Sequence, residues 1–89
     1  QRLWERGMAH FRVGNLAPAH AAFEAMLAID PESGPALFRL SLIQARTGRF
    51  QAAVSLALRA EQREPNRVEL LAHLARCRLM TGRPEAAAR

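Results

Sequence analysis

Residues 34–67 read GPALFRLSLIQARTGRFQAAVSLALRAEQREPNR, and this stretch decides the fold. It holds two helical segments, each closed by its own punctuation. The first, 35–46, opens on Gly34-Pro35, because proline fits a first helical turn whose N–H groups have no intrahelical partner. It stops at Thr47-Gly48, where glycine can take the left-handed conformation that ends a helix. The second, 50–63, stops at Glu64-Pro65, since a residue preceding proline is pushed out of the helical region. Segment 35–46 is apolar almost all round, with Leu37, Phe38, Leu40, Leu42, Ile43 and Ala45. Such a helix needs cover on more than one side.

The same phrase recurs on both flanks at a step of 34 residues. Gly14, Gly48 and Gly82 share that step, as do Pro31 and Pro65, and Ala19, Ala53 and Ala87. Upstream, Leu3, Trp4, Met8, Phe11 and Val13 mark a helix over 2–13, and a second helix runs over 16–29. Gly14-Asn15 and Asp30-Pro31 close them. Downstream, Asn66 with Glu69 forms a capping-box pattern that opens a helix to about Met80. Thr81-Gly82 breaks it and Pro84 starts another. No stretch alternates with a period of two for long enough to suggest a strand. A fixed period of this length means stacked copies of one supersecondary unit, with neighbouring helices antiparallel across short turns. The expected organisation is one domain over 1–89, divided into units at 1–33 and 34–67 and a partial third at 68–89. The opening Gln1-Arg2-Leu3-Trp4 reads as a cut from a longer protein.

Within that register the residues resemble the tetratricopeptide repeat family, whose pattern is W-x2-L-G-x2-Y, then A-x3-F, then P within 34 residues. The first unit gives Leu3, Arg6, Gly7 and His10, then Ala19-x3-Phe23, then Pro31. The second gives Leu37, Leu40, Ser41 and Gln44, then Ala53-x3-Ala57, then Pro65. The third gives Leu71, Leu74, Ala75 and Arg78, then Ala87. Gly7 fixes the register and places Leu3, not Trp4, in the tryptophan slot. The resemblance implies an all-α fold of antiparallel helix pairs stacked in a right-handed superhelix. It also implies a protein–protein interaction scaffold that binds a peptide or partner segment in a concave groove lined by the first helix of each unit. The small residues Gly7, Ser41 and Ala75 recur where the helices of a unit approach closely, and Ala19, Ala53 and Ala87 do so on the second helix.

The candidate groove follows from spacing on those first helices. Leu3–Gly7–His10 reads as the packing stripe, with His10 a packed, hydrogen-bonded imidazole. Beside it run Trp4–Met8–Phe11 and the echoes Phe38–Leu42–Ala45 and Ala72–Arg76–Leu79. The expected partner-binding residues are Trp4, Met8, Phe11, Arg12, Phe38, Leu42, Arg46, Arg76 and Leu79. The same stripe can be read as core, which is the expected state of Leu42 and Ala45, while Trp4, Met8, Phe11 and Phe38 are open to either reading. The chaperone-binding branch of the family grips a C-terminal carboxylate with Lys and Asn. The matching positions here are Trp4, Met8, Leu42 and Ala72, with only Arg76 charged, so that clamp is not expected.

Composition narrows the remaining choices. Hydrophobic residues make up 49% and charged residues 24%, which excludes wholesale disorder. The formal charge is +5, and every basic residue is Arg beside eighteen Ala, a bias that a GC-rich genome imposes on codons. The arginines are also spread along the chain, so a solvated basic surface is expected over nucleic-acid binding, and an RNA-binding solenoid is kept as an alternative. Cys77 stands alone, reads as a small buried hydrophobe, and offers no zinc site. With no Tyr, few hydroxyl side chains and no phosphate loop, neither catalysis nor a cofactor nor a small-molecule substrate is expected; a helical arm of a larger enzyme such as a transferase is the other alternative. No apolar run is long enough to insert in a membrane. The compartment stays open, with the cytoplasm the default. The apolar face of helix 67–80, carrying Leu70, Leu71, Leu74 and Leu79, is expected to be incompletely covered and so to promote self-association.

Overall fold

Each stop signal in the sequence becomes a turn between helices. The computed structural model describes residues 2–81. It contains α1 (Arg2–Arg12), α2 (Leu16–Ile29), α3 (Gly34–Arg46), α4 (Phe50–Arg63) and α5 (Val68–Thr81). Gly14 and Gly48 take φ values of +84° and +82°. Each lets the chain double back so that the next residue donates to a carbonyl in the last helical turn: Asn15 to His10 and Arg49 to Gln44, both at 2.8 Å. These are equivalent Schellman closures, which satisfy carbonyls a helix end would leave orphaned. Gly82 lies outside the described residues, as does the helix expected from Pro84. At the start of α3 the Ser33 hydroxyl accepts from the Ala36 N–H while Pro35 sits in the first turn.

The helix pairs close on small residues. A Cβ placed on Gly7 would lie 2.7 Å from the Phe23 ring, so only glycine lets α1 approach α2 this closely. One unit later Ser41 stands at the Gly7 position and Ala57 at the Phe23 position, so the small residue and the ring are replaced by two of middling size. The two pairs share a continuous interior. Met8, Phe11, Ala19, Phe23, Ala36, Leu40 and Ile43 form one apolar cluster; Leu37, Phe38, Ala57, Ala60, Leu70 and Leu74 form the next. Leu27, Leu42 and Leu56 pack against both. α3 therefore supplies residues to both clusters, as its nearly all-round apolar pattern requires.

Two local expectations are corrected, and the face of α5 is incompletely covered as its sequence suggests. Asn66 is not the cap of α5: it takes φ +69°, a left-handed turn residue, and the helix starts at Val68 with the Arg67 carbonyl accepting from Leu71. Asparagine tolerates that conformation better than most residues, and here that tolerance outweighs its capping preference. His10 is only half-buried, and the packed, hydrogen-bonded imidazole of the interior is His73. The face of α5 is split: Leu70 and Leu74 are buried against α3 and α4 while Leu71 and Leu79 remain exposed.

Candidate functional site

α1, α3 and α5 alternate with α2 and α4 along the stack, α3 lying against α5 and reaching the rings of α1 through Arg39 and Arg46. Trp4, Met8 and Phe11 project from α1 at helical spacing and share one cluster, whereas Phe38 on α3 belongs to the next. The structure divides these four between two clusters and does not expose them alike. Met8, Phe11 and Phe38 are 9%, 8% and 9% exposed and belong to the two core clusters, whereas Trp4 is only partly buried. Trp4 rests on the Phe23 ring at a centroid distance of 5.6 Å. The stripe read as a groove floor is thus mostly foundation, with the indole as its accessible part. Leu42 is partly buried, in keeping with a role in the core.

Charge sits above this foundation. The Arg39 guanidinium lies 5.9 Å from the Trp4 ring, 5.6 Å from Phe11 and 5.5 Å from Phe38. Arg46, two turns further along α3, lies 4.6 Å from the same Phe11 ring. The negative faces of aromatic rings attract cations, so the three rings offset part of the cost of holding guanidinium groups out of water. Burial pushes the Arg39 pKa below the ordinary arginine value, the Arg67 and Arg12 charges push it the same way, and Glu69 opposes them. Arg12, Arg46, Arg76 and Leu79 are all exposed. Arg46 and Arg76 flank a shallow cavity of about 290 Å³ between α3 and α5, floored by Leu42, Ala45, His73 and Cys77 and closed at one end by Phe50.

Sequence reasoning passed over Arg39. Its partners in the 34-residue register are Glu5 and His73, three unlike residues that make no stripe. The available signal was simpler: apart from the terminal Arg46, Arg39 is the only charged residue in an otherwise apolar helix. A cation in such a place must find a special environment.

The polar groups beneath the cavity do not form a reactive centre. The Ser41 hydroxyl donates to the Ala53 carbonyl at 2.6 Å, and its oxygen lies 2.8 Å from His73 Nε2. With the single hydroxyl proton committed to a carbonyl, Nε2–H must be the donor to Ser41. Cys77 Sγ lies 3.6 Å from the same ring nitrogen, and burial pushes its thiol pKa up, away from the nucleophilic thiolate. Burial, followed by the Arg76 charge, holds the His73 pKa below the usual histidine value despite the opposing bond to Ser41. The cluster therefore ties α3, α4 and α5 together as neutral groups. Among the described residues no group of three or more His, Cys, Asp or Glu side chains is placed to hold a metal ion. None of the described helices is long and apolar enough to cross a membrane.

The family model of the tetratricopeptide repeat matches residues 5–67 and, in a second overlapping copy, 48–89. Together with the five helices of the described residues, two antiparallel pairs followed by α5, this shows that the chain belongs to the tetratricopeptide repeat family and folds as a helical-repeat solenoid. Repeats of this family generally mediate protein–protein interaction and are typically non-catalytic. No curated protein matches the chain.

Proposed function

We propose that this chain is a non-catalytic interaction scaffold whose α1–α3–α5 face binds an extended segment of a protein partner. The observation that carries the reading is a partly exposed tryptophan 5.9 Å from the Arg39 guanidinium, with Arg46 on the Phe11 ring and Arg76 lining the same cavity as Arg46. The exposed Arg12 and Leu79 are assigned to the same face as part of the proposal. A large amphipathic ring beside arginines is the composition of binding hot spots, where a few anchors dominate the affinity. Met8, Phe11, Phe38 and Leu42 support the face from below and set the position of the anchors. Trp4 is the single tryptophan of the chain, so its emission reports directly on occupancy. Peptides selected from a random displayed library on the 89-residue chain should shift that emission, and Trp4→Ala should weaken their binding about tenfold or more. Selected peptides that leave the emission unchanged and bind Trp4→Ala as tightly would overturn the reading. A second contact surface is part of the same proposal. Val68, Leu71 and Leu79 on α5 are 80%, 40% and 58% exposed and favour self-association through that helix.

A further inference from the structure

Arg39 is held in place yet left without a partner. Among the described residues it makes no hydrogen bond and no ion pair, and its Nε is buried with nothing to donate to. The two Nη groups likewise have no hydrogen-bond partner among the described residues, and Arg39 as a whole is half-buried. The carboxylate that acts on it electrostatically, Glu69, lies 3.9 Å from Arg67 and forms no ion pair with Arg39. Around Arg39 stand Arg12, Arg67 and Arg46, the last against the same Phe11 ring. The Trp4, Phe11 and Phe38 rings surround the guanidinium carbon at 5.9, 5.6 and 5.5 Å, and none of them can accept a hydrogen bond as an oxygen does. A planar fork of N–H donors, fixed in orientation and short of acceptors, matches the two oxygens of a carboxylate.

We infer that Arg39, seated among Trp4, Phe11 and Phe38, is an anchor for an aspartate or glutamate side chain of an acidic partner segment, with Arg46 as the second cation of the same subsite. This rests on the reading of the α1–α3–α5 face as a partner surface and names the chemistry it selects. The occupant is a peptide and not a nucleic acid because single-stranded bases need open ring faces to stack on. Here Phe11 and Phe38 are more than nine-tenths buried, and the cations lie against them. The occupant is a side chain and not a chain terminus because one guanidinium amid rings supplies a fork for two oxygens but no further donor set to define a terminus. Arg46 lies seven residues beyond Arg39, about 10 Å along the helix axis, so paired acids on one segment engage both cations.

The test is titration of the 89-residue chain, read by Trp4 emission, with hexaglutamate blocked at both ends. Controls are the equally blocked hexaglutamine, hexaglutamine with a free C-terminal carboxylate, and a uridine hexanucleotide. Hexaglutamate should bind saturably and at least tenfold more tightly than blocked hexaglutamine. Arg39→Gln should weaken it by about tenfold, the scale of a lost charge-assisted pair. Arg59→Gln, which removes the same charge from α4 at a residue bonded to the Pro31 carbonyl, should leave the affinity unchanged. Should Arg39→Gln lose its helical circular dichroism, Arg39→Lys takes its place, since it keeps the charge but not the fork. Lysine binding within twofold of the wild type would then overturn the assignment. Equal losses from Arg39→Gln and Arg59→Gln would also overturn it, as would free-ended hexaglutamine matching hexaglutamate or the oligonucleotide binding more tightly. If library peptides still bind at Trp4 while hexaglutamate and blocked hexaglutamine do not differ, this inference fails alone. If neither class moves the emission, the reading of the face fails with it.

Discussion

His73 shows how a single buried residue joins three helices. Its Nε2–H meets the Ser41 hydroxyl, which in turn meets the Ala53 carbonyl, and its ring stands edge-on to Phe38 at 5.8 Å. Because the fold lowers the His73 pKa below 6.5, the native state binds that proton less readily than the unfolded chain. Its contribution to stability is complete above pH 6.5 and is lost as pH falls below that value towards the lower folded one. The urea midpoint should therefore drop on acidification from neutral pH, and His73→Leu should show a shallower drop over the same range. An identical slope in both proteins would remove His73 as the cause. Ser41→Ala should cost about 1–3 kcal/mol at neutral pH, because it strands a buried imidazole donor. Gly7→Ala tests the neighbouring pair. The added methyl would press on the fully buried Phe23 ring, so the gain in helix propensity should be outweighed, with a net loss of about 1–3 kcal/mol in chemical denaturation.

At the scale of elements, the helices owe their lengths to their ends. α3 has a serine cap, a first-turn proline and a terminating glycine; the serine acts through its side-chain hydrogen bond, the other two through backbone geometry. Gly48 makes the point, since a Cβ there would meet nothing within 4 Å. Gly48→Ala should still destabilise the protein by about 1–2 kcal/mol, because a side chain disfavours positive φ even in open space. Comparison with Gly7→Ala by thermal unfolding separates a conformational requirement from a steric one. A double variant should show near-additive losses, as the two sites share no packed neighbour. α5 differs from α3 in having a left-handed asparagine before it and an exposed Leu71–Leu79 side.

The whole molecule is a short stack in which each helix pair leans on the next. Such arrays are stabilised by nearest-neighbour contacts, and exposed apolar side chains grouped on one helix mark a site for association. Val68, Leu71 and Leu79 lead us to expect concentration-dependent self-association in sedimentation or light scattering. Replacing Leu71 and Leu79 together by Glu should render the chain monomeric with its helical signal intact. A wild-type chain that stays monomeric at every accessible concentration would discard this surface. Leu71→Glu alone, which leaves Leu79 of the α1–α3–α5 face in place, should retain hexaglutamate binding.

The order of helices, their boundaries and their pairing were legible in the chain itself. Those features depend on local chemistry: a glycine that turns left, a proline that ends its predecessor, and apolar residues recurring at helical spacing. The 34-residue register added the stacking, because a unit that cannot bury its own apolar face must lean on a copy of itself. Exposure within the stripes was not legible. Trp4, Met8 and Phe11 share one helix face in any reading, but only the position of α3 decides that two are covered and the indole is left partly open. Tertiary structure likewise moved the hydrogen-bonded imidazole from His10 to His73, since a donor is satisfied by whatever lies opposite and not by its slot in a repeat. Arg39 is the clearest case. In sequence it is a lone cation in an apolar helix; its three rings come from two helices, and only their packing makes it a site.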